Sequence, residues 1–133
     1  MPRVDKYRGK TKEECAKMGI EGFMPLLTSR ARRALKRATS RASEVRKLIK
    51  KAAKVKATNP SKAIRTHLRE AVIIPEWLGL TFAVYNGKEW KNVQITIDKL
   101  GYRLGDFSHT TGRVIHSGPG VGATRGSKFI PLK

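Results

Sequence analysis

Leu80-Thr81-Phe82-Ala83-Val84-Tyr85-Asn86-Gly87-Lys88-Glu89-Trp90-Lys91-Asn92-Val93-Gln94-Ile95-Thr96-Ile97 decides the fold of this chain. Two runs rich in β-branched and aromatic residues flank Asn86-Gly87. Both central positions of a type I′ turn need positive φ, so Asn-Gly between such runs predicts a hairpin. The first strand spans 80–85 and the returning strand runs to about Ile97. A two-residue loop would set Phe82 opposite Lys91 and Val84 opposite Glu89. That register leaves the apolar faces out of phase between Lys88 and Asn92, and a bulge or a longer loop would restore the match.

On the N-terminal side of the hairpin, Ala71-Val72-Ile73-Ile74 reads as a short strand closed by Pro75. Ser61–Leu68 is either a short helix or an extended approach to it. Downstream, Thr96 is a candidate N-cap for a one-turn helix that ends at Gly101 in a left-handed cap. Tyr102–Phe107 then closes the core.

Near the start of the chain, Thr11 can cap a helix over Lys12–Met18, with Glu13 and Glu14 in its first turn and Gly19 as its C-terminal cap. Gly22 and Pro25 break the next stretch into short pieces, and Phe23, Met24, Leu26 and Leu27 are packing candidates. Thr28 or Ser29 opens a helix with Ala31, Ala34, Leu35 and Ala38 on one face. Thr39-Ser40 interrupts it. A second helix over about Ser43–Lys56 carries the stripe Val45, Leu48, Ile49, Ala52 and Val55, and Asn59-Pro60 ends it. From Ser108 onward the density of glycine argues against helix and sheet, and the tail reads as a basic segment that orders on a polyanion.

The charge is as informative as the pattern. The formal net charge is +19 on 133 residues. Between Thr28 and Thr58 twelve Lys/Arg face one acid, Glu44, a local balance of 12 − 1 = +11. No acid follows Asp106. A solvated face normally mixes both signs, so this bias points to a polyanionic partner, and a phosphate backbone fits best. The apolar residues thicken between Ile64 and Phe107, which divides the chain into a basic helical extension (1–59), a compact core (60–107) and an extended tail (108–133).

Other chemistries fare poorly. The single Cys15 excludes an internal disulfide and a cysteine-rich zinc site. No apolar run approaches the ~20 residues of a membrane span. The N-terminus lacks the apolar stretch of a signal peptide, and a cytoplasmic protein without membrane contact is expected. Gly118–Ala123 matches a dinucleotide loop by letters only, because too little chain comes after it to complete a βαβ unit. Gly122–Lys128 is a Walker-type loop one residue short. His67, His109 and His116 lack metal-ligand spacing, and Asp106, Ser108 and His109 lie side by side in sequence without a nucleophile elbow. No catalytic set and no cofactor are expected. Trp77 and Phe107 read as core, whereas Trp90 and Tyr102, next to basic residues, can face bases or sugars.

One resemblance is specific enough to name. Ile73-Ile74-Pro75-Glu76-Trp77-Leu78-Gly79-Leu80-Thr81-Phe82-Ala83-Val84-Tyr85-Asn86-Gly87 and Gly101-Tyr102-Arg103-Leu104-Gly105-Asp106-Phe107, preceded by Thr66-His67-Leu68-Arg69, resemble the S-nineteen family of small-ribosomal-subunit proteins. Tyr7-Arg8-Gly9, Ser29-Arg30-Ala31-Arg32-Arg33 and the tail from Gly118 are similar to its archaeal and eukaryotic branch, above all the archaeal one. The resemblance implies an α+β fold: a small three-stranded mixed sheet with short helices, a basic helical N-terminal region and an extended C-terminal tail. It implies a place in the head of the small subunit on the rRNA 3′ major domain, beside the S-thirteen family protein and near the intersubunit bridges. The tail would point toward tRNA and the decoding region. The expected RNA-binding residues are Arg30, Arg33, Arg37, Arg65, His67, Arg69, Lys88, Lys91, Arg103, Arg113, Arg125 and Lys128. A nonspecific DNA- or RNA-binding protein is the competing expectation.

Overall fold

The computed structural model describes residues 6–40, 43–113 and 115. It contains four α-helices and a three-stranded mixed sheet, the α+β architecture expected. Helix α1 (Lys12–Lys17) starts at a capping box in which Thr11 Oγ1 accepts from Glu14 N and Glu14 accepts from Thr11 N. Gly19 does not close α1. Met18 is its C-cap, and Gly19, at φ −69°, is the N-cap of α2 (Ile20–Phe23). A 3₁₀ turn over Met24–Leu26 comes next, with Pro25 in its first positions, where a missing N–H costs nothing.

Helix α3 (Ser29–Ser40) buries Ala31 and Leu35, and α4 (Glu44–Thr58) buries Leu48 and Ala52. These are members of the two stripes read from the sequence. Ser43 caps α4 through a bond from Arg46 N, and its hydroxyl donates back to Ala38 O, so one side chain links the two helices. Phe23 and Leu27 are buried, and Met24 and Leu26 pack against the same core.

Strand β1 (Ile64–Thr66) settles the ambiguous Ser61–Leu68 segment. It pairs in parallel with β2 (Thr81–Tyr85), which pairs antiparallel with β3 (Trp90–Gln94). The strand expected at Ala71–Ile74 is a correction. The free edge of β2 is already taken by β1, and residues 71–74 run through the core as an extended segment. All four are buried, which suits an unbroken apolar run. The partner of this segment is the 101–104 backbone: Ile73 N donates to Tyr102 O at 2.8 Å, and Leu104 N to Ala71 O at 3.1 Å.

The hairpin register is also corrected, in the direction of a longer loop. Phe82 lies opposite Val93 and Val84 opposite Lys91, with Asn86–Glu89 as the connection. Of Asn86 and Gly87, only Gly87 has positive φ, at 101°. Asn86 instead uses its side chain, whose Oδ1 accepts from the backbone of Lys88 and Glu89. This Asx turn competes with the left-handed backbone that a type I′ turn requires. The two-residue turn with both φ positive lies elsewhere. Arg8 (47°) and Gly9 (83°) join Tyr7 to Lys10, which exchange two 2.9 Å backbone bonds. Gly101 takes the left-handed φ expected of it, 79°. It comes after a 3₁₀ turn at Ile97–Lys99 for which the Thr96 side chain forms no cap bond.

A single cluster of buried residues runs from Cys15 through both basic helices to Leu104. Trp77, 1% exposed, lies in a 3₁₀ turn (Pro75–Trp77) against which α1, α2 and α4 all pack.

Candidate nucleic-acid interface

Alternation along the strands sorts side chains onto two faces. Ile64, Thr66, Phe82, Val84 and Val93 point into the core and are buried. On the outer face the cross-strand partners put Arg65, Ala83 and Asn92 in one row, with Tyr85 opposite Trp90 in the next. His67 succeeds β1 on this face. Its ring lies edge-on to Tyr85 (4.9 Å between centroids) and to Trp90 (4.8 Å). The Arg65 guanidinium sits over the Trp90 ring at 5.7 Å. Trp90 stays 37% exposed. The loop that carries Lys88 borders this face, and Lys91 stands at the far end of the core face, exposed. The structure thus unites Arg65 and His67 around an aromatic platform with Lys88 in the bordering loop, whereas Lys91 lies on the opposite face of β3 and is not part of it.

Arg30, Arg33 and Arg37 project from the exposed side of α3, and Arg46, Lys50 and Lys54 from that of α4. Among the described residues the sole ion pair is Lys47–Glu44, at 2.7 Å. The remaining helix cations therefore have no acidic partner among them. Two arginines in the same composition do other work. Arg32, though exposed, folds back on the preceding turn, donating from Nε to Met24 O (3.1 Å) and from Nη2 to Leu27 O (3.1 Å). Arg69, half-buried, donates to Tyr85 O, Gly105 O and both oxygens of Ser108. Its charge is spent holding the fold, so it stands apart from the surface set. Arg113 is exposed beyond the last turn, away from the sheet residues in sequence, and Arg125 and Lys128 lie outside the described residues.

A third feature brings together residues far apart in sequence. A cleft of about 500 Å³ is lined by Tyr7, Arg8, Arg30, Tyr102, Arg103 and Asp106, among others. Tyr102 is 56% exposed at its rim. Asp106 Oδ2 accepts from Arg103 N at 2.9 Å. Burial pushes the Tyr7 phenol above its usual pKa, partly offset by the Arg8 charge beside it. Arg8 was not among the residues expected from the sequence, where its only signal is an Arg-Gly pair. Among the described residues no cluster of His, Cys, Asp and Glu could hold a metal ion, and no helix is long and apolar enough to cross a membrane.

The family model described as "Ribosomal protein S19" matches residues 33–116. Proteins named "Small ribosomal subunit protein uS19" from strains of the archaeon Methanococcus maripaludis, C5 and C7 among them, are similar over nearly the whole chain. In each case the identity is 45% over 132 residues, covering 96% of this chain and 81% of the relative. The resemblance seen in the core motifs and in the archaeal features of the flanks is thereby shown: the chain belongs to the S19 family of ribosomal proteins.

Proposed function

We propose that the chain is a structural component of the small-subunit head that binds rRNA of the 3′ major domain. The observation that carries this reading is the outer sheet face, where Arg65, His67, Tyr85 and Trp90 form an exposed cation–aromatic platform. Aromatic faces stack unpaired bases, and guanidinium and ammonium groups neutralise the flanking phosphates. The outward cations of α3 and α4 widen the footprint. Phosphate contacts fix position without reading sequence, so the folded shape of the RNA supplies the specificity. In this reading the neighbour is the S-thirteen family protein. The tail, 108–133, threads toward tRNA and the decoding region, near large-subunit bridge elements, with Arg113, Arg125 and Lys128 on RNA.

The test is titration of the protein with a transcript of the 3′ major domain across a salt series. Each phosphate contact contributes about 0.7–0.9 to the log–log slope, so six contacts give a slope of about −4.2 to −5.4. A salt-independent affinity overturns the proposal. Equal affinity for random duplex DNA favours a nonspecific nucleic-acid binder instead.

A further inference from the structure

Arg8 adopts a left-handed backbone, φ 47°, at the first central position of the Tyr7–Lys10 turn. Asn, Asp or Gly adopts that conformation at lower cost than a long side chain does. A strained residue held by a well-formed turn points to a use for its side chain. That side chain lines the cleft between the turn, the first residues of α3 and the 100–106 segment, together with Arg30 and Arg103. Three guanidiniums against the one carboxylate of Asp106 leave the lining at 3 − 1 = +2. Asp106 is itself engaged by Arg103 N. Tyr7 is anchored by its ring against Phe23 (5.6 Å) and its hydroxyl against Gly101, which fixes where the turn sets Arg8.

We infer that this cleft is a phosphodiester-binding site, in which Arg8, Arg30 and Arg103 clasp the backbone of one RNA strand while Tyr102 packs on the adjoining sugar or base. The fork of a guanidinium donates two parallel bonds to phosphate oxygens, which an ammonium cannot reproduce. The strain at Arg8 is then the cost of aiming that fork. The inference rests on the rRNA-binding reading and adds a second, separate anchoring point to the sheet platform.

The test uses the full chain and the 3′ major domain transcript at fixed salt, with melting temperature measured alongside. Arg8→Asn suits the turn better, so it leaves the melting temperature unchanged or higher while weakening RNA binding about tenfold. Lys12→Gln, an equal loss of charge on the exposed side of α1, weakens it less than about threefold. The charge-preserving triple variant Arg8→Lys/Arg30→Lys/Arg103→Lys weakens it about tenfold or more, because the charge remains and the fork does not. Should the triple variant misfold, Arg30→Lys alone, on an exposed residue, carries the same sign. Equal losses for Arg8→Asn and Lys12→Gln, or wild-type affinity in the lysine variant, overturn the cleft while leaving the rRNA reading intact. A wild-type chain that does not bind the transcript overturns both.

Discussion

Arg69 and Ser108, 39 residues apart, are locked together: one guanidinium nitrogen donates to the Ser108 hydroxyl at 3.3 Å and the other to its carbonyl. Ser108 Oγ in turn donates to Val84 O, and Arg69 also holds Tyr85 O. One side chain thus ties the exit of the compact region to the middle strand of the sheet.

Arg69→Met keeps much of the stem and removes these bonds, leaving half-buried carbonyls unsatisfied. The expected loss is about 2–4 kcal/mol, read as a lower midpoint in urea denaturation. RNA affinity of the folded variant should fall less than about threefold, since the charge does not face solvent as those of α3 do. A large loss of affinity with unchanged stability would reverse the assignment.

Gly101 offers a sharper test of packing. A Cβ there would lie 2.6 Å from the Tyr7 hydroxyl oxygen and 3.2 Å from Leu27 Cδ2, on a backbone at φ 79°. Gly101→Ala is expected to cost about 2–3 kcal/mol, of which about 1 is the left-handed backbone. Adding Tyr7→Phe removes the atom in conflict, so the double variant should recover about 1 kcal/mol relative to simple addition. Additive losses would mean that Tyr7 is not the obstacle.

Trp90→Ala addresses the platform. The side chain is partly exposed at the end of the sheet, so stability should change by about 1 kcal/mol or less. Binding to the 3′ major domain transcript should weaken by about 1–3 kcal/mol, the range for one stacked base. Trp90 fluorescence should be quenched on binding, with buried Trp77 as the silent partner. Unaltered affinity in the variant would remove the platform from the interface.

Two weak acids shielded from water set an alkaline limit. Burial raises the pKa of Cys15 above 9.0 and that of Tyr7 above 10.0. The unfolded chain then releases these protons first as pH rises, so it binds fewer protons than the native state. Stability is therefore fully present below about pH 9 and declines above it. Thermal melts at pH 7 to 10.5 should show the decline begin near 9, and Cys15→Ala should remove its first part. The Cys15 thiol, 0% exposed, should also react with iodoacetamide far more slowly in native than in unfolded protein.

The sequence made the helices legible because their signals are local. The Thr11 N-cap with two acids after it and the two apolar stripes need no knowledge of the rest of the chain. The sheet was less readable where competition decided it. Ala71–Ile74 has strand composition, yet Ile64–Thr66 took the edge of β2. Asn86-Gly87 has turn composition, yet the Asn86 side chain bonded to the loop instead. The interface divides the same way. Arg65 and His67 were identifiable as members of a basic stretch before the core, but Arg32 and Arg69 are indistinguishable by composition from Arg30 and Arg33. Which carbonyls lie within reach separates them, and that is decided only in three dimensions. Arg8 was invisible for a related reason, since its partners Arg30 and Arg103 come from distant parts of the chain.

Trp77 also sets the order of events during synthesis. The helices that pack on the Pro75–Trp77 turn all precede it in the chain. Until that turn and the strands after it leave the exit tunnel, Leu35, Leu48 and Ala52 have little to bury against. Translation runs at about 5–20 residues per second, so the most basic third of the protein spends seconds as an exposed nascent polycation. A chain with this layout finishes folding only when its last strand arrives, and nearby RNA meets the charge before it meets the shape.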